Sequence, residues 1–220
     1  MESLRAVDAG GARLVLTIGG VDGIVSAELI AEYRLQVGRV LDARDAERLT
    51  GAAHRLQVFD LAVQLLSVKS RSARELAAAL RKRGASRDEC AAAIERLQEL
   101  RLVDDASYAR YVARSRMAGG AMSKRRVQQE LARRGVAPEV AREALGEVAA
   151  EVGLDEYEGA LAVAQKRMRS LGREDGATVR RRLYGFLARR GYESSVVSRV
   201  MAAVLPRGLG DRPDAPDDDA

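Results

Sequence analysis

The stretch LRKRG at residues 80–84 returns as LARRG at 131–135 and again at 187–191. A leucine, then cations, then a glycine is the ending of an amphipathic helix. The cations complement the negative end of the helix dipole, and the glycine supplies a left-handed stop. The three leucines, Leu80, Leu131 and Leu187, are spaced by 51 and 56 residues. Self-similarity at such a period is the mark of one supersecondary unit repeated in tandem, and it constrains the fold more than any other feature of the chain.

The flanks of the glycines repeat too. Four residues before each leucine stands Leu76, Val127 or Leu183, an i, i+4 apolar stripe on one helix face. Ser72 and Ser123 hold the N-cap positions, and Glu75 completes a capping box with Ser72. The third copy is shifted, with Val179 in the aligned place and Thr178 as the expected cap. After the glycines, Cys90, Ala141 and Val197 align, then Ile94, Leu145 and Met201, then Leu97, Val148 and Val204, together one face of a further helix. Ser86 with Glu89 caps its first copy, and Pro138 opens its second. A helical pattern precedes each unit, at 59–69, 104–116 and 155–168. The expected fold is therefore mainly α: three tandem three-helix repeats, at 51–103, 104–153 and 154–206, stacked into an elongated curved body in which neighbouring units can share a core.

Residues 1–50 read as a small α/β module. ARLVLTI (12–18) alternates like a strand, GGVDG (19–23) reads as a turn, and IVS (24–26) returns as a second strand. SAELIAEYRL (26–35) reads as a helix capped by Ser26. Residues 37–41 connect it to a helix capped by Asp42. Residues 207–220, rich in Gly, Pro and Asp, are expected to be a disordered acidic tail.

Catalytic and metal chemistry finds no support. The chain has one cysteine and one histidine, Cys90 and His54, so it holds neither an intramolecular disulfide nor a zinc set. Cys90 aligns with Ala141 and Val197, which makes it a small core residue, and His54 reads as a helix-face residue. Gly19-Gly20 and Gly119-Gly120 are not followed by a phosphate-loop lysine. Asp104-Asp105 begins a helix, where negative charge favours the dipole. No serine lies in a nucleophile-elbow context. A non-enzymatic protein without cofactor or metal is expected. No apolar run long enough for a membrane span and no leader peptide are found, so a cytoplasmic location is expected.

Charge points to an anionic partner. The net charge is +5, but residues 51–103, 104–149 and 155–204 carry +4, +3 and +4 between acidic ends. Arg133 and Arg134, like Arg189 and Arg190, serve the helix dipole. Lys124, Arg125 and Arg126, and Arg180, Arg181 and Arg182, are read as lying near helix starts, where the dipole disfavours them. They are the better candidates for an anionic contact, with Arg71, Arg74, Arg133 and Arg134 beside them. Tyr108, Tyr111, Tyr157 and Tyr184 fall on helical patterns and are expected to pack rather than to stack on bases.

In order, RSARELAAALRKRG (71–84), LVDDASYARYVARSR (102–116), SKRRVQQELARRGV (123–136) and EVAREAL (139–145) resemble the RecX family of bacterial regulatory proteins. The match covers about 60–206, and the opening module is similar to the N-terminal extension of longer members. MAGGAM (117–122) departs from the more basic linker that the resemblance implies. The resemblance implies tandem three-helix repeats that act without catalysis, and a monomer is expected. Such a protein binds the RecA recombinase, lodges along its filament on single-stranded DNA, and suppresses its ATPase and strand exchange. DNA is a possible direct partner. The readings in competition are a duplex-DNA-binding protein built of helix-turn-helix-like units and a helical-repeat protein scaffold.

Overall fold

The computed structural model describes residues 3–7, 13–18, 20–153, 155–171 and 175–205. The acidic tail lies outside the described residues. The chain forms two units, Met1–Asp104 and Asp105–Ala220.

The first unit opens with an antiparallel sheet of order β1-β2-β3, formed by β1 (Ser3–Ala6), β2 (Arg13–Ile18) and β3 (Val21–Ser26). The sequence reading held two strands and missed β1, whose four residues are too few to display alternation. It also placed the turn at 19–23. Ile18 in fact pairs with Val21, so residues 21–23 belong to β3 and the turn is shorter. The Thr17 hydroxyl donates to the Asp22 carboxylate at 2.7 Å and helps hold that register. One sheet face buries Leu16 and Val25 with Leu35 and Leu49.

Ser26 caps α1 (Ala27–Glu32) by accepting from the Leu29 amide, as expected. Asp42 likewise caps α2 (Ala43–Val68), accepting from the Asp45 amide. This helix has 26 residues and serves two cores. Leu49 and Ala53 lie under the sheet, whereas Val58, Ala62 and Leu65 join the first repeat. Arg13 adds a two-pronged bond to Asp60, at 2.7 and 2.8 Å, from sheet to helix. The first repeat is completed by α3 (Ala73–Arg81) and α4 (Arg87–Glu99), each opened by the capping box read from the sequence.

The second unit holds α5 (Asp105–Met117), a 3-10 turn at Ala118–Gly120, α6 (Lys124–Arg133) and α7 (Pro138–Val152). The third repeat follows as α8 (Glu156–Leu171), α9 (Gly176–Arg189) and α10 (Ser194–Val204). Pro138 stands first in its helix, as expected. Thr178 is not a cap. Asp175 caps α9 and accepts from the Thr178 amide at 2.9 Å, so the helix starts earlier than its sequence suggests.

The three stops are alike in geometry. Gly84, Gly135 and Gly191 have φ of +94°, +84° and +85°. The amide one residue on, at Ala85, Val136 or Tyr192, donates back to the carbonyl of Leu80, Leu131 or Leu187 at 3.3, 3.1 and 3.4 Å. This is the Schellman closure, and its hydrophobic partner is present each time, because Ala85, Val136 and Tyr192 are buried. The aligned apolar pairs Leu76/Leu80, Val127/Leu131 and Leu183/Leu187 are fully buried. Cys90 sits in the core as expected.

Each repeat closes its own apolar cluster, one around Leu76 and Leu97, one around Val127 and Val148, and one around Leu183 and Val200. Three helices per repeat suffice to cover both residues of the buried pair. The second and third repeats meet instead through backbone. Gly120, at φ +72°, lies so close to Gly159 that an added Cβ would overlap the Gly159 carbonyl. The buried Tyr192 hydroxyl donates to the Gly120 carbonyl at 2.5 Å, and the Ser123 amide donates to the Arg190 carbonyl at 3.0 Å. Burial, with a smaller push from Glu156, raises the Tyr192 phenol to about 12, so it remains a donor. MAGGAM is thus a packing element, and small residues are what its position demands.

Gly120→Ala therefore combines left-handed strain with overlap of backbone and should cost about 3 kcal/mol or more. Gly119→Ala, also left-handed but facing open space, should cost only about 1–2 kcal/mol. Urea denaturation of the two variants checks the difference.

Candidate nucleic-acid and protein interface

The second helix of each repeat buries two residues four apart. At 100° per residue, the positions two before the first and two after the second point the opposite way. Those positions hold Arg74 and Lys82 on α3, Arg125 and Arg133 on α6, and Arg181 and Arg189 on α9. All six are exposed, and none forms an ion pair with a described residue. Ala78, Gln129 and Gly185 lie midway, so no acidic side chain interrupts the stripe. Sequence reasoning singled out Arg74, Arg125, Arg133 and Arg181 but left out Lys82 and Arg189. The fixed offset from the buried pair is the signal that finds them.

The remaining candidates fall into different settings. Lys124 and Arg125 occupy the first turn of α6, behind the Ser123 cap, where the dipole does disfavour them. Lys124 also stands near Glu156, whose carboxyl is pushed up by burial and by Glu193, with Lys124 acting the other way. Arg126 is half-buried, its stem against Gly191, where an added Cβ would come within 2.6 Å of the Arg126 Cβ. Arg180, Arg181 and Arg182 are exposed but lie in the second turn of α9, because the helix starts at Gly176. The dipole argument made for them from sequence does not hold. Arg71 is half-buried, and its Nε has no hydrogen-bond partner among the described residues.

The paired arginines before Gly135 and Gly191 divide, whereas Lys82 and Arg83 before Gly84 are both exposed. Arg133 and Arg189 project outward, whereas Arg134 and Arg190 lean onto their own repeats. Arg134 donates to the Tyr108 hydroxyl at 2.6 Å and to Glu130 at 2.5 Å. Burial pushes the Glu130 carboxyl up. The hydrogen bond and charge of Arg134, with those of Arg116, outweigh it and hold the group below its ordinary range. Arg190 lies over the Phe186 ring, 3.7 Å from its centroid.

On the first helix of the second repeat, cations are matched by carboxylates. Arg110 pairs with Glu147 at 3.4 Å and Arg114 with Glu151 at 2.8 Å. His54, on its helix face as expected, pairs with Glu89. The tyrosines correct the sequence reading in part. Tyr108 is buried and Tyr157 half-buried beneath Arg199, but Tyr111 and Tyr184 are 64% and 49% exposed. Each stands one residue from a buried valine or leucine, which turns it off the core face. Among the described residues, no group of three His, Cys, Asp or Glu side chains could hold a metal, and no helix is long and apolar enough to cross a membrane.

Three family models match the chain, described as the first, second and third three-helix domains of RecX, at residues 59–97, 104–145 and 155–201. The regulatory protein RecX of Amycolatopsis mediterranei is 37% identical over 146 residues, which is 66% of this chain and 82% of the relative. That of Mycobacterium avium is 37% identical over 149 residues, 68% of this chain and 85% of the relative. Among solved structures, a crystal structure of regulatory protein RecX superposes with a TM-score of 0.71 at 18% identity, covering 92% of this chain and 98% of that one. A second, RecX from Lactobacillus salivarius, gives 0.56 at 18% identity, covering 68% and 95%. These two structures share the fold.

Arg134→Ala leaves the half-buried Glu130 without its closest cation and should cost about 1–3 kcal/mol of stability. Arg133→Ala should change stability by no more than about 0.5 kcal/mol. Thermal melts of the two variants separate the structural arginine from the projecting one.

Proposed function

Because this chain belongs to the RecX family of regulatory proteins, we propose that it binds the RecA recombinase and its filament on single-stranded DNA, and suppresses ATPase and strand exchange without catalysis of its own. It acts as a monomer in the cytoplasm, where such filaments form. The observation that carries this reading is the outward cation pair on the second helix of every repeat: Arg74 and Lys82, Arg125 and Arg133, Arg181 and Arg189.

A filament of recombinase on DNA offers carboxylates and phosphates at regular intervals. A chain that presents the same two-cation element once per repeat is suited to a partner that is itself repetitive. Exposed cations on well-packed helices lose little to desolvation and act mainly through complementarity and association rate. Arg126, Arg134 and Arg190 hold the repeats in shape behind that surface, while Lys124, Arg125, Arg133 and the α9 arginines meet the partner.

The test is recombinase ATPase on single-stranded DNA, with the purified protein added after filaments have formed. Inhibition is expected at well below one protein per recombinase subunit. Arg125→Ala combined with Arg133→Ala should raise the half-inhibitory concentration by about three- to tenfold, with helicity unchanged. Full activity of the recombinase in excess protein would remove the reading.

A further inference from the structure

The third repeat keeps two arginines of a triad but lacks its carboxylate. In the second repeat, Glu130 accepts from Arg134 at 2.5 Å and from Arg116 at 3.3 Å, so one carboxylate holds two cations. The buried residues carry this arrangement over. Ala109 and Ala113 of α5 correspond to Ala160 and Ala164 of α8, all four without exposed surface. Arg116 and Arg167 each stand three residues after the second alanine. Leu131 corresponds to Leu187. Arg134 and Arg190 each stand three residues after that leucine, and Glu130 and Phe186 each stand one before it. Both arginines are therefore retained, and Phe186 takes the place of the carboxylate.

The geometry agrees with this register. Arg167 and Arg190 both lie over the Phe186 ring, 5.7 and 3.7 Å from its centroid. A ring face attracts a guanidinium but offers no oxygen to its N–H groups. The Nε of each arginine is buried without a hydrogen-bond partner among the described residues. Neither arginine forms an ion pair with a described residue. The two repeats differ in electrostatics as well. Burial pushes the Arg134 pKa down, but the bonds to Glu130 and Tyr108 outweigh it and the pKa is raised. Burial pushes the Arg190 pKa down too, and the charges of Arg167 and Arg189 add to it, so that it is lowered despite Tyr192. Two neighbouring guanidiniums with buried, unpartnered nitrogens are a local cost that a carboxylate between them would relieve.

The chain carries a source of carboxylates close by. Leu205 packs on the same apolar cluster as Phe186, so the chain leaves the third repeat at the core that the ring covers. Six residues further on begins DRPDAPDDD (211–219), with five aspartates and one arginine, outside the described residues. Six residues span at most about 20 Å. A tether this short keeps the aspartates near the arginines at about millimolar effective concentration.

We infer that Arg167 and Arg190 form a carboxylate site occupied by the chain's own acidic segment at 211–219, which supplies there what Glu130 supplies in the second repeat. An anionic partner that approaches these arginines has to displace the segment. The site is filled without any recombinase, so it stands or falls apart from the regulatory reading.

The experiment is paramagnetic broadening of backbone amide resonances in the full chain, with no recombinase present. Ala215→Cys carries a nitroxide, and Cys90→Ala, the residue that the second repeat has at the aligned position 141, removes the other thiol. Broadening is expected at the amides around Arg167 and Arg190, and not at those around Arg74, Lys82, Arg125 or Arg133. Arg167→Gln combined with Arg190→Gln should abolish it. Phe186→Glu, which rebuilds the triad of the second repeat, should abolish it with both arginines in place. Arg125→Gln combined with Arg133→Gln should leave it unchanged. The amide spectrum of each variant reports whether its fold is kept. Absence of broadening on α8 and α9 in the labelled parent overturns the inference. So does broadening that survives both the double glutamine variant and Phe186→Glu, or that spreads evenly over the cations of all three repeats.

Discussion

In all three repeats the second helix ends when the carbonyl of a buried leucine accepts from the amide just beyond a left-handed glycine. That hydrogen bond does more than end a helix. It orients the last turn against the core, because the donor residue, Ala85, Val136 or Tyr192, is itself buried. With the turn fixed, the last cation before the glycine leans back and the one before it projects in the second and third repeats, whereas Lys82 and Arg83 of the first both stay exposed. Arg134 and Arg190 become structural, and Arg133 and Arg189 become surface. A Cβ at these glycines would strain the stop and release that ordering of charge.

Each repeat closes its own apolar cluster, and the second and third repeats meet through Gly120 against Gly159, the Tyr192 hydroxyl on the Gly120 carbonyl, and the Arg126 stem against Gly191. Surface charge is divided along the same lines. Arg110 and Arg114 on α5 are matched by carboxylates on α7, whereas Arg74, Lys82, Arg125, Arg133, Arg181 and Arg189 form no ion pair with a described residue. A surface that keeps its cations unmatched in three successive repeats is the physical basis of the proposed function.

Local chemistry was readable in the sequence where it acts over one or two turns. The capping boxes at Ser72 and Ser86, the apolar pairs at Leu76/Leu80, Val127/Leu131 and Leu183/Leu187, and the burial of Cys90 all follow from spacing alone. What escaped depends on distant partners or on short elements. β1 has four residues and is held by its pairing with β2. The α9 cap was misplaced because alignment to the other copies favoured Thr178 over Asp175. MAGGAM looked like a weakened linker because its partner, Gly159, lies 39 residues on from Gly120. Part of the candidate surface was readable as charge. Its division into projecting and leaning arginines was not, since that requires the geometry of the stop.

The most direct test of the central claim is a comparison of three dissociation constants for the full chain, against free recombinase, bare single-stranded DNA and the assembled filament, in one buffer. The account predicts that the filament is bound more tightly than either component. It also predicts that removing Arg125 and Arg133 together narrows that difference. A filament bound no more tightly than bare DNA would contradict it, and would leave the outward cations as a nucleic-acid contact alone.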